Sequence, residues 1–161
     1  MEKKEYNIED FLAEVDEDYK EFVLRIDSAL IEDGCKSKVE SKTSGMFVGY
    51  SEPKTRRSIV NILFRKKGML MRLYADGHAE YNDFIKNLPE NMEKQIAKSS
   101  PCKRFDDPLT CNDRCIMGYD FYIRDNHYQK CRYNCFEFLV DTESIPVMAE
   151  FVDRERKARF G

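Results

Sequence analysis

Three short apolar runs in quick succession do most to constrain this chain: residues 46–50 (MFVGY), 57–64 (RSIVNILF) and 69–74 (MLMRLY). Each is too short for a core helix, carries β-branched or aromatic side chains, and is bounded by residues that favour turns. Ser51, Glu52, Pro53 and Lys54 open the connection between the first pair, and Arg65, Lys66, Lys67 and Gly68 separate the second. Such short polar connections predict tight reversals, so the simplest topology is an antiparallel meander. The middle run is almost wholly apolar, which places it at the centre of the sheet.

Ahead of the meander, Phe11, Val15, Tyr19, Phe22, Ile26, Ala29 and Leu30 recur three or four residues apart. This spacing predicts one long amphipathic helix, capped at Asn7 and ending at Gly34, with Glu9, Asp10 and Glu14 at the positive end of its dipole. Residues 36–44 read as a Lys/Ser-rich connection. After the meander, Tyr81, Phe84, Ile85 and Leu88, then Met92 and Ile96 beyond Pro89, predict two short helices. Residues 119–124 and 127–140 predict two strands joined at Asp125 and Asn126, and residues 141–158 a closing helix that tolerates Pro146 in its first turn. The expected fold class is therefore α+β: an antiparallel sheet (meander plus C-terminal hairpin) with helices packed on one face. A length of 161 residues with 42% hydrophobic content suits a single domain, organised as residues 8–98, a cysteine-rich region 99–140 and the last helix.

Five of the six cysteines fall in one third of the chain, as Cys102, Cys111, Cys115, Cys131 and Cys135. Two C-x3-C pairs flank the predicted hairpin, and two chelating pairs brought together by a fold make a tetrahedral thiolate site. The expectation is a Zn²⁺ ion on Cys111, Cys115, Cys131 and Cys135 that staples the C-terminal part, with Cys102 and His127 as reserve ligands. Lys103, Arg104, Arg114, Lys130 and Arg132 lie beside these cysteines, where cations would offset the charge of a thiolate cage. Four protein ligands leave no open position on the metal, so its role would be structural. The same cysteines also admit two other readings. They can be reduced packing residues, as Cys35 and the apolar context of Cys135 suggest, or a thiol redox or Fe-S group without C-x2-C or ferredoxin-type spacing.

The net charge of -3 hides a polarity along the chain, since residues 1–35 carry four Lys/Arg against twelve Asp/Glu, and residues 36–72 ten against two. The two segments are expected to face and compensate each other. Within the basic one, Lys54, Arg56, Arg57, Arg65 and Arg72 are candidate residues for a cationic binding face, whose partner would be a small anionic ligand or a protein. Nucleic acid is a further candidate, with Tyr50, Phe64 and Tyr74 available for stacking, although a pI near 5.6 is unlike that of a dedicated nucleic-acid binder. His78 and His127 belong to no catalytic motif and no phosphate-cradling glycine loop is present, so no catalytic residue is expected. The absence of a secretory leader or a spanning apolar run leads to the expectation of a cytoplasmic protein with no membrane partner.

The leading helix, basic meander and following helices of residues 8–98 resemble small bacterial α/β proteins of the YjbR and YdhG type, a likeness that implies DNA-binding or iron-chaperone roles. The cysteine-rich end departs from that pattern. Its segments around Cys102, Cys111 to Tyr119 and Lys130 to Phe136 are similar to uncharacterised proteins of anaerobic Gram-positive bacteria. Together these readings predict a non-catalytic ligand- or partner-binding protein with a structural zinc site.

Overall fold

The computed structural model describes residues 4–111 and 114–161. Along the chain run α1 (Ile8–Leu12), α2 (Glu17–Glu32), β1 (Lys36–Lys42), β2 (Gly45–Ser51), β3 (Ser58–Arg65), β4 (Gly68–Leu73), α3 (Asn82–Lys86), α4 (Glu90–Lys98), β5 (Tyr119–Ile123), β6 (Asn126–Lys130), β7 (Glu137–Leu139) and α5 (Ile145–Phe160). The class is α+β. Five strands form an antiparallel sheet in the order β1-β2-β3-β4-β7, while β5 and β6 make a separate two-stranded hairpin.

Register explains the core. Val48 pairs with Ile62, Ile62 with Met71 and Met71 with Phe138, while Tyr50 pairs with Val60 and Val60 with Leu73. Paired residues point to the same side of a sheet, so these seven side chains share one face, and each is at most 1% exposed. Helices cover that face through identifiable contacts. Phe11 of α1 meets Phe64 with ring centroids 5.5 Å apart, Tyr50 donates to Asp27 of α2 at 2.6 Å, and Phe151 of α5 packs on Phe136 at 5.2 Å and on Phe138 at 6.3 Å.

Four features depart from the sequence reading. Residues 36–42 are an edge strand rather than a connection, paired in continuous register from Lys36↔Ser51 to Lys42↔Gly45. Apart from Val39, its side chains are polar, so backbone hydrogen bonds hold it and hydropathy gives no sign of it; charge along an edge also discourages pairing with other chains. The leading helix is broken between α1 and α2. Asp16 starts the second piece by accepting from the Asp18 N–H at 3.0 Å, and Glu14, in the gap, accepts from the Met46 N–H at 2.9 Å. The C-terminal hairpin does not extend the main sheet; β7 does so instead, through Leu70↔Leu139 to Arg72↔Glu137. Finally, among the described residues no salt bridge joins the acidic segment before β1 to the basic meander. Asp33 pairs with Arg156 at 2.5 Å and Arg25 with Asp153 at 3.5 Å, both on α5, while Arg72 pairs with Glu137 at 2.9 Å and Glu40 with Lys38 and Lys42 at 2.8 and 2.6 Å.

The hairpin is tied to α4 by the Glu93 carboxylate and by Lys130, which donates to the Ala97 carbonyl at 3.0 Å. Glu93 accepts from Arg124, from Asn126 at 3.0 Å and from the Tyr128 hydroxyl at 2.9 Å. Among the described residues, no helix is long and apolar enough to cross a membrane.

Phe151 is fully buried among aromatic rings, so Phe151→Ala is expected to cost about 3–5 kcal/mol in chemical denaturation. Burial opposes the charge of Glu93, but its three donors outweigh that and hold the carboxyl below its ordinary range. Because the folded carboxyl is more acidic than the unfolded one, its contribution is complete above the usual carboxylate range and fades as pH falls through the folded value. Glu93→Gln should therefore flatten the acid limb of the stability–pH curve, as measured by thermal unfolding between neutral and strongly acidic pH.

Candidate functional site

The cysteines differ sharply in burial. Cys111 is exposed and its φ is +69°, whereas Cys135 is fully buried in the core, where burial pushes its thiol well above the usual range. Cys131 and Cys135 share one turn, the Cys135 N–H donating to the Cys131 carbonyl at 3.0 Å. Cys115 is half-buried, and its sulfur accepts from the Met117 N–H at 3.4 Å. Cys102, also half-buried, donates its N–H to Gln129 at 3.2 Å and lies against Gly118. A Cβ at Gly118 would stand 2.2 Å from the Lys130 carbonyl and 2.7 Å from the Cys102 Cβ, so only glycine permits this approach. Cys35 is separately buried, which pushes its thiol up to about 11. His127 is paired with Asp120 at 2.5 Å and stacked on Tyr122 at 4.6 Å. Among the described residues, no group of three or more His, Cys, Asp or Glu side chains is arranged to hold a metal ion.

The five basic residues singled out from the meander are likewise not one face. Lys54, Arg56 and Arg57 belong to the β2–β3 connection, while Arg65 ends β3, seven residues from its start and so about 23 Å away. Arg72 is committed to Glu137, with Nε and Nη2 both 2.9 Å from Oε2. The connection bearing the first three is a closed turn. Glu52 accepts the Arg56 N–H at 2.9 Å through its carbonyl and the Thr55 hydroxyl at 2.6 Å through its carboxylate, with Arg56 at a φ of +62°.

That turn delivers Arg57 and Ser58 to the rim of a cavity of about 200 Å³. Tyr74, just past β4, and Tyr133 form another part of its wall, their rings edge-on at 6.4 Å. Arg114, Cys115 and Ile116 come from the cysteine-rich loop, and Arg132 from the turn after β6. Three arginines distant in sequence thus line one small concavity. Two of them, Arg114 and Arg132, enter the sequence reading only as neighbours of cysteines. The basic flanks were the available signal; what chain order hides is that Arg57 meets them.

Behind the cavity lies a buried ionic network. Arg132 is 8% exposed, with its guanidinium over the rings of Tyr74 at 5.4 Å and Tyr119 at 5.8 Å and 2.9 Å from Asp76. Asp76 is shared with Arg159 at 3.5 Å, and Arg159 also reaches Glu52 at 3.2 Å, Glu155 at 2.6 Å and the Tyr74 carbonyl at 2.6 Å. Glu155, wholly buried, accepts from the Gly77 N–H at 3.1 Å and from the Tyr81 hydroxyl. Burial pushes the Tyr81 and Tyr119 hydroxyls far above the ordinary range, so both stay protonated. Gly77 lets α5 approach, since a Cβ there would be 2.5 Å from that of Ala158. His78, with both ring nitrogens shut off from solvent and without partners, is pushed below its ordinary pKa by burial, against the opposite pull of Asp76.

Compared with known proteins, the chain matches no family, no curated protein and no solved structure.

Removing one member of a buried ion network leaves the others uncompensated. Glu155→Ala strands the Arg159 charge, the Gly77 N–H and the Tyr81 hydroxyl, and is expected to cost about 3–5 kcal/mol by urea denaturation.

Proposed function

We propose that this chain is a non-catalytic binding protein for a small oxyanion, which it holds in the cavity between Arg57, Arg114 and Arg132. One observation carries the reading: three arginines from separate stretches of chain, Arg57, Arg114 and Arg132, line a concavity of about 200 Å³ together with Ser58, Tyr74 and Tyr133. Guanidiniums match carboxylate and phosphate oxygens in geometry as well as charge. Arg132 and Tyr74 are fixed in advance by Asp76 and Arg159, so little ordering is required on binding. A nucleic-acid strand is less well suited, because the other basic cluster, Lys42, Arg65, Lys66 and Arg72, lines a separate concavity instead of continuing the one at Arg57.

A zinc staple on Cys111, Cys115, Cys131 and Cys135 is the second reading. What supports it is the turn shared by Cys131 and Cys135; it requires Cys111 and Cys115 to close onto that turn. The two readings differ at Cys115, which is cavity wall in the first and metal ligand in the second.

Calorimetric titration with inorganic phosphate at low ionic strength tests the first reading. Saturable binding that weakens about tenfold in Arg57→Ala, equivalent to about 1.4 kcal/mol, is the expected outcome. Absence of binding, or binding indifferent to that substitution, would overturn it. For the second, metal analysis of protein purified without added metal should give about one equivalent of zinc if the staple exists, and less than about a tenth if it does not.

A further inference from the structure

Resting on the oxyanion reading of the same cavity, we infer that Cys115 is a thiol-exchange site for acidic disulfides of low molecular weight. The cavity combines a nucleophile with a means of selecting its reagent. Cys115 is the one sulfur in a wall otherwise dominated by Arg57, Arg114, Arg132 and two tyrosines. Two contacts fix its position: its carbonyl accepts from Arg104, and its sulfur accepts from the Met117 N–H at 3.4 Å. Met117 adopts a φ of +103°, a conformation that a non-glycine residue takes only at some cost.

A disulfide bearing carboxylates would set a carboxylate on the guanidiniums and one sulfur near Cys115. The Cys115 thiol gives its proton to water, and its sulfur attacks the nearer sulfur of the reagent. The reagent's S–S bond breaks, the electron pair leaves on its other sulfur, and that thiolate takes up a proton. One disulfide is consumed, one mixed disulfide and one free thiol are formed, and no further oxidant is required. A disulfide with ammonium groups of similar length meets the same sulfur but is repelled by the lining. Charge selection is therefore the signature that separates this site from an ordinary exposed thiol.

The reduced full chain is reacted with dithiodipropionate, a dianion, and in parallel with cystamine, a dication, and the modified cysteines are quantified by peptide mass spectrometry. Exposed Cys111 serves as the internal reference. Relative to Cys111, Cys115 is expected to prefer the dianion by about tenfold or more at low salt. That preference should shrink with added salt, with added phosphate and in Arg57→Ala. A preference no greater than that of Cys111, or no modification of Cys115, would overturn the inference. Phosphate calorimetry on the same wild-type protein separates the two failures. Binding without charge-selective exchange leaves the oxyanion site standing and removes only the thiol chemistry, whereas loss of both removes the site itself.

Discussion

A guanidinium taken out of water must recover its solvation from carboxylates and carbonyls, and Arg159, with a side chain only 5% exposed, does so from four directions at once. Glu52 comes from the β2–β3 turn, Asp76 and the Tyr74 carbonyl from the stretch after β4, and Glu155 from one turn earlier on α5. These partners belong to otherwise separate pieces of the fold, so one side chain settles where α5 ends relative to the sheet. Asp76 passes the constraint to Arg132, and Arg132 passes it to the cavity wall. The ordering of the candidate site is thus inherited from a charge that has no direct part in it.

Much of the fold was legible because burial leaves a mark on sequence. Ile59, Val60, Ile62 and Leu63 are buried on both faces of a central strand, and a nearly unbroken apolar run records that. The edge strand β1 left no such mark, since its stability lies in backbone pairing with β2. The break after α1 was hidden for the opposite reason: Leu12 and Val15 are both buried, so the helical period of apolar residues runs through a gap in the helix itself. The hairpin was found in sequence but misassigned in space. Local turn chemistry specifies that β5 and β6 pair; it does not specify that Glu93 on α4 receives them while β7 takes the edge of β4.

The site was legible only in fragments. Arg57 was marked by its place in a basic turn, and Cys115 by its spacing from Cys111. Nothing local joins them, because convergence depends on Tyr74, Asp76 and Arg132 being packed by residues far away in the chain. In sequence, Arg114 and Arg132 stand beside cysteines as if to offset a thiolate cage; in the structure they line the same concavity as Cys115. The C-x3-C pair at Cys131 and Cys135 shows how spacing underdetermines chemistry. One turn of chain places two sulfurs near each other in sequence, yet the second belongs to the core with Phe136 and Phe138.

The Arg159 contacts with Glu52 and the Tyr74 carbonyl close loops of 107 and 85 residues. Long closures carry an entropic cost that must be met before the contacts reward it, so they form late in folding. Strands β1 to β4 and the β5–β6 hairpin pair neighbouring segments, whereas β7 closes onto β4 across a long stretch of chain and the anchoring of Arg132 through Asp76 is complete only when α5 docks. Competence to capture an anion would then be a property of the finished molecule alone, absent from its partly ordered precursors, and occupancy would favour completion of the chain's own assembly.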